Sequence, residues 1–597
     1  MVATYAATLA VCVASLAIGQ AALALCGVRR WSWLAPAVGL SLLVAVCWGT
    51  VRIAGDGVGS ALLVLALVVA SVAYLWGRLE GGGEALRAGW PVALAALLAA
   101  SLPFAVEGHF GILGTSFNPD MSQHLLATAR LADGQASQLL SQGYPLGPHA
   151  VVVALNKGLG IGLVHGFSGL TVAVAVLAPL TALAAFRELP ALPRTAAALV
   201  VGLAYVVASY FAQGAFKETM QALFLLAFVL ALREVDRDPA WRELPLRYLP
   251  AALVAVGSIY VYSFPGLIWL GGAFILWLLL WRRLPMRPLL LAFLAFFVFV
   301  APEIGRMVDF QRFETFDPNG PGLGNLFGQI SPFEALGIWP SGDFRLAPGD
   351  GAVPAAAYYL GIAFALVLLA WGAGRCWRDR ERAVLAGLAA AALAYAAARL
   401  GGTPYTAAKA IEIAAPVVAL TILLPSLPEL WRLIRGYPGK VATTPPAARS
   451  ERLAGAATGV FLVAAGVCSL LALANAPVGP SAYSPALTGM RPLVAEDSTL
   501  VLASSRLLAD EHGSPYIAWE LRGGRVCIKG VEEAGDAPPP GVRFVVTEGD
   551  ASRPPYPGLR VRRNAPPYVL WEATGPVAAN SPCPLIAVRQ ARQGPAR

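Results

Sequence analysis

Between Glu107 and Lys157 an otherwise apolar chain turns polar, reading EGHFGILGTSFNPDMSQHLLATARLADGQASQLLSQGYPLGPHAVVVALNK. Four of the five histidines, His109, His124, His149 and His165, fall inside this stretch or just past it. Asn118 suits a helix N-cap and Pro119 the first helical position, which predicts a helix from 119 to about 132 that ends near Gly134. Asp120 and His124 then stand one turn apart on the same side. Met121, Leu125 and Ala129 form a separate apolar stripe suited to a bilayer surface. On local grounds alone, Asp120 also suits the positive end of the helix dipole. The string Tyr144-Pro145-Leu146-Gly147-Pro148-His149 reads as a rigid turn into a helix starting near Pro148. His149 taken alone is a cap or a core histidine.

Two further groups carry charge at the ends of apolar runs. Lys217 and Glu218 stand in AQGAFKETMQ, and Lys409 and Glu412 stand in GGTPYTAAKAIEIAAP, which also contains Tyr405. Each Lys and its Glu make a plausible structural ion pair. Polar groups at the edge of a bilayer are costly to keep, so each is also a functional candidate. Cations at that depth can hold a lipid-linked phosphate. Arg306 and Arg399 are weaker candidates for the same task, and Lys157 suits an anchor to lipid phosphates.

The elements that must position these residues are membrane helices. The chain has 597 residues, 57% hydrophobic and only 13% charged, with a mean hydropathy of +0.64. Soluble proteins carry about a quarter charged residues. Residues 1–28, 31–51, 57–77, 166–186, 195–216 and 353–374 contain no Asp, Glu, Lys or Arg, and such runs are long enough to cross a bilayer as helices. Counting all apolar runs predicts about fourteen spans, with 148–163 as a re-entrant or interfacial helix. The loops then fall into two sets, one with 22 Lys and Arg and the other with 9. The basic set is expected to be cytoplasmic. That places the N-terminus, the Glu107–Lys157 stretch, the 303–352 loop and the C-terminal tail outside. The net charge of +9 is explained by these loops, and no nucleic-acid partner is expected.

From about 477 the composition becomes polar and Pro-rich, with β-type runs at 499–502, 516–519, 543–546 and 568–571. A small mixed α/β or β domain outside the membrane is expected there. In an oxidising compartment Cys527 and Cys583 are a candidate disulfide, or else two buried thiols. The expected organisation is 1–106 as N-terminal spans, 107–165 as an outward loop, 166–476 as the membrane core and 477–597 as the tail domain. No phosphate-binding P-loop, dinucleotide fingerprint, hydrolase signature or Cys/His metal spacing is present in the sequence. The abundance of Ala, Gly, Pro and Arg suggests a bacterial genome rich in G and C.

An acidic residue on the first large outward loop, a following YPxGxH-like string and a small outward C-terminal domain together resemble the GT-C superfamily over about residues 90–475. These are integral-membrane glycosyltransferases that use polyprenyl-phosphate sugars, among them actinobacterial enzymes of envelope assembly. The resemblance implies an all-α polytopic membrane fold with an added extracytoplasmic domain, in a bacterial plasma membrane. It implies Asp120 as general base and His124 and His149 near sugar or phosphate. Lys217 and Lys409 would hold the donor phosphate, with Tyr144, Glu218, Tyr405 and Glu412 lining the same substrate site. The partners would be the lipid bilayer, a polyprenyl-phosphate-linked sugar and a glycan or lipid acceptor. No cofactor is required, although some relatives use a divalent metal. This sequence departs from the pattern in two ways: three extra spans precede Asp120, and Asp120 has no adjacent carboxylate. A transporter or flippase of a lipid-linked envelope precursor is the main competing reading, and a non-catalytic envelope-assembly protein the other.

Overall fold

The computed structural model describes all residues except 55–56, 116, 119, 135–136, 281–285, 312–321, 436–448, 481–483, 496, 510–512, 523 and 579–597. The chain forms two compact units. One comprises Met1–Phe117 and Gln142–Val478, the other Asn118–Ser141 and Gly479–Arg597. The stretch expected as a single outward loop, 107–165, is therefore divided between them.

The larger unit is helical. Among the described residues ten helices are long and apolar enough to cross a membrane: Val2–Leu25, Ala35–Arg52, Gly57–Leu75, Gly82–Glu107, Leu163–Phe186, Met286–Phe310, Ala355–Arg378, Arg382–Gly401, Pro404–Pro428 and Leu453–Ala474. Ala191–Gly202 and Tyr205–Ala212 make an eleventh if this pair, bent by 57°, counts as one span. The chain is a multi-pass membrane protein. The remaining runs among the expected fourteen differ for physical reasons. Leu249–Tyr262 and Gly266–Leu279 have 14 residues each, about 21 Å of helix against a hydrocarbon core of roughly 30 Å. Phe216–Arg237 carries Lys217 and Glu218 at one end and Arg233, Glu234, Asp236 and Arg237 at the other. The helix Gly147–Leu159 has only 13 residues and is no span.

Burial sorts these helices by their surroundings. Leu163–Phe186 is apolar all round and 94% buried. It packs against Val2–Leu25, Gly82–Glu107, Ala191–Gly202 and Phe216–Arg237, as an all-apolar helix in a bundle centre must. Gly57–Leu75 has a higher hydropathy, 2.4, yet is only 11% buried, which is the signature of a lipid-facing helix. The first two helices meet through small residues. A Cβ on Gly39 would stand 1.7 Å from the Ser15 carbonyl oxygen, so only glycine allows this approach. The turn expected at Ser263–Gly266 is present: Ser263 has φ 59°, and the Gly266 N–H donates to its carbonyl at 3.1 Å.

The smaller unit contains a five-stranded sheet. Its strands are β1 (Ser498–Ala503), β2 (Arg525–Gly530), β3 (Phe544–Glu548), β4 (Leu559–Ala565) and β5 (Tyr568–Ala573). The order is β2-β1-β3-β5-β4. β1 runs parallel to β2 and β3, whereas β5 runs antiparallel to β3 and β4. Leu500, Leu502, Val545, Val569 and Trp571 build its core. The strands expected at 499–502, 543–546 and 568–571 are present. The run Tyr516-Ile517-Ala518-Trp519, expected as a strand, lies instead in the helix Gly513–Glu520. A four-residue apolar run carries no period that separates strand from helix, and Pro515 suits a first helical turn. Cys527 lies on β2 and is disulfide-bonded, while its expected partner Cys583 lies outside the described residues.

Candidate functional site

The expected site residues fall into two groups, one in each unit. In the larger unit, Gly143 (φ 70°) brings the chain against the C-terminal end of the helix Met286–Phe310: a Cβ there would stand 2.2 Å from the Arg306 carbonyl oxygen. Tyr144 follows and is buried. The helix begins at Gly147, with Pro148 in its first turn, as the sequence predicts. His149 is fully buried. Its ring meets Phe167 at 5.5 Å, Phe216 at 5.7 Å and Tyr144 at 6.3 Å, all edge-on. That is the setting of a core histidine, the plainer of the two readings.

Lys217, one residue into the helix Phe216–Arg237, donates through its ammonium to the Tyr144 hydroxyl. Arg306 donates to the Tyr144 carbonyl at 2.7 Å. The Arg306 guanidinium also lies 4.8 Å from the centre of the Trp48 ring and 3.3 Å from Glu303. Glu303 accepts in turn from Trp48 Nε1 at 2.7 Å and from Arg52 at 2.9 Å. Three cations, Arg52, Arg306 and Lys217, are thus linked through Tyr144 and Glu303. Arg52, Trp48 and Glu303 were not singled out in the sequence. The available signal was a charged or indole group at the end of an apolar run.

The second pairing is crossed relative to the sequence expectation. Lys409 pairs with Glu218 at 3.0 Å, and the two side chains are 13% and 5% exposed. Neither Lys–Glu pair closes within its own helix as expected from local spacing. Helices 216–237 and 404–435 pack side by side, and this brings residues distant in sequence within reach. Lys409 also lies 4.2 Å from the centre of the Tyr405 ring. Glu412, one turn further on, is fully buried, as is Tyr210, whereas Tyr262 is half-buried. Arg399 is exposed in the last turn of Arg382–Gly401, and Lys157 is exposed in the last turn of Gly147–Leu159.

In the smaller unit, the helix runs Met121–Ala132, two residues shorter at its start than expected. Asp120, not Asn118, is the N-cap residue. The Asn118 side chain instead accepts from the Asp120 N–H at 3.0 Å, a local turn that competes with helix. Asp120 is half-buried and His124 buried. The His124 N–H donates to the Asp120 carbonyl at 3.2 Å, closing the first turn. The stripe Met121 and Leu125, expected at a bilayer surface, is buried, and its helix packs on Gly513–Glu520. Among the described residues no group of three or more His, Cys, Asp or Glu is placed to hold a metal ion.

No protein-family model matches the sequence, and no curated protein matches it. Solved structures do match. The chain is similar over 82% of its length to the arabinofuranosyltransferase AftD from Mycobacteria, at 16% identity and a TM-score of 0.48. It is similar over 76% of its length to the oligosaccharyltransferase AglB from Archaeoglobus fulgidus, at 14% identity and a TM-score of 0.25. The match spans 40% of the AftD chain and 58% of the AglB chain.

Proposed function

We propose that this chain is a membrane glycosyltransferase of the GT-C type. It moves a sugar from a polyprenyl-phosphate donor to a cell-envelope glycan or lipid acceptor on the outer side of a bacterial plasma membrane. The joining of Lys217 and Arg306 at Tyr144 supports this most. Two cations on one residue, at the ends of apolar helices, suit a phosphate whose tail stays in lipid. Lys409 contributes less directly: it pairs with Glu218, as Arg306 does with Glu303, and it lies beside Tyr405 rather than Tyr144. In the proposed reaction Asp120 takes the proton of an acceptor hydroxyl as its oxygen bonds to the anomeric carbon. The bond from that carbon to the phosphate oxygen breaks. Polyprenyl phosphate leaves, stabilised by Lys217 and Arg306. A single displacement inverts the anomeric centre.

Purified protein given a polyprenyl-phosphate sugar and a glycan acceptor should release polyprenyl phosphate, and Lys217→Ala should slow that release. No release from any such donor, with protein shown to be folded, removes the enzyme reading.

A transporter or flippase is favoured by a different observation. The pair Ala191–Gly202 and Tyr205–Ala212 is bent by 57°, and Leu249–Tyr262 and Gly266–Leu279 are short helices on either side of a turn. Broken helices are a transporter device. That reading expects a labelled lipid-linked glycan to cross proteoliposomes intact, with no polyprenyl phosphate released.

A further inference from the structure

The segment carrying Asp120 belongs to the tail domain, not to the helices that flank it in sequence. Residues 118–141 join 479–597 in one compact unit, whereas 1–117 and 142–478 form the other. Within the smaller unit, helix Met121–Ala132 packs on helix Gly513–Glu520. The second helix is tied down near its C-terminal end and along its length. Glu520, fully buried, pairs with Arg491 at 3.0 Å and accepts from the Thr488 hydroxyl. Arg491 Nε also donates to the Glu520 carbonyl at 2.7 Å. Both Arg491 and Thr488 lie on helix Pro485–Val494. The Tyr516 hydroxyl shares a hydrogen bond of 2.5 Å with that of Tyr568 on β5. Trp519 is buried, with the Arg522 guanidinium 3.4 Å from its ring centre.

These contacts make helix 513–520 a strut. Its attachments are a buried ion pair to one helix and a phenol pair to the sheet, and its other partner is the helix Met121–Ala132, whose N-cap is Asp120. We propose that this strut orients Asp120, and that Tyr516, Tyr568, Glu520 and Arg491 are positioning residues for it. The tail is then an integral part of the transfer machinery rather than an appended binding module. The inference rests on the proposed role of Asp120 as base. Its physical ground is that a general base must stand within hydrogen-bond reach of the proton it takes. A displacement near 1 Å, caused far from the chemistry, can cost about 10²-fold in rate. Asp120 sits at the first turn of a helix of only 12 residues, so a tilt of that helix moves the carboxylate directly.

The test uses the full-length protein in lipid nanodiscs with two mild variants, Tyr516→Phe and Glu520→Gln. Steady-state transfer kinetics and hydrogen exchange of the 122–132 amides are measured on both, with Asp120→Asn alongside. Strut action predicts a kcat lower by about 10- to 100-fold, a donor KM within about twofold, and faster exchange in 122–132. Exchange in β1 should be unchanged, which separates local loosening from unfolding. Tyr516→Phe removes one oxygen and keeps the ring, so it serves if Glu520→Gln does not fold. Wild-type kcat in Tyr516→Phe overturns the proposal, whether or not 122–132 exchanges faster. A raised KM with kcat unchanged also overturns it and makes the tail a binding module. If Asp120→Asn keeps full turnover, the base reading itself fails. Slow Tyr516→Phe beside a fully active Asp120→Asn would show a strut that serves some other group.

Discussion

Lys409 pairs with Glu218 at 3.0 Å across two helices, and both side chains are largely buried. The neighbours that local spacing offers, Glu412 for Lys409 and Lys217 for Glu218, are passed over in favour of this partner. A buried pair of this kind is weak evidence of net stability, but breaking it from one side strands a charge.

Lys409→Met should therefore destabilise the larger unit by about 3–5 kcal/mol. The double variant Lys409→Met with Glu218→Gln should recover most of that loss. Thermal unfolding in detergent or nanodiscs checks this. Equal destabilisation by the single and the double variant would show that the loss comes from packing, not from an unpaired carboxylate.

Lys217 should matter to donor handling more than to folding. Lys217→Ala should lower kcat/KM for a polyprenyl-phosphate donor by about 10²-fold, typical of losing one charge-stabilising contact. Tyr144→Phe, which removes the hydroxyl that Lys217 reaches and leaves the ring, should cost less. Melting temperatures of both should stay near that of the wild type. A larger loss from Tyr144→Phe than from Lys217→Ala would assign the key contact to the phenol.

The tail sheet should lose stability in acid through Glu572. A hydrogen bond from Arg560 at 2.9 Å, with Arg562 and Arg543 nearby, holds the Glu572 carboxyl below its usual range. A depressed folded pKa gives a contribution fully present above the unfolded value, about 4.3, and lost as pH falls through the folded value. Glu572→Gln should lower the unfolding temperature at pH 7, and the gap to wild type should close towards pH 3. A gap that does not change with pH would assign the effect to the lost hydrogen bond alone.

Much of this architecture is legible in local sequence, and the exceptions share a cause. Long charge-free runs announce membrane helices because no other solution buries them. Ser263–Gly266 and Tyr144–Pro148 announce turns through Pro and Gly. The strands at 499–502, 543–546 and 568–571 announce themselves by β-branched and aromatic residues. What escaped depends on contacts between distant segments. β4, with the sequence LRVRRNA, is an exposed edge strand, and its arginines mask any alternation. Glu303 gains its meaning only once Trp48, Arg52 and Arg306 surround it. The grouping of residues 118–141 with the tail has no local signature, because the apolar stripe of that helix serves a protein surface as well as it would a bilayer. For the same reason, spacing alone offered the wrong partner for Lys409.

The most direct test of the account is release of polyprenyl phosphate by Asp120→Asn. Wild-type protein, a polyprenyl-phosphate sugar and a glycan acceptor are combined in nanodiscs, and the released lipid phosphate is measured by mass spectrometry. The account predicts release by the wild type and a loss of about 10²- to 10⁴-fold in Asp120→Asn, with the unfolding temperature unchanged. Release by Asp120→Asn at the wild-type rate would contradict it.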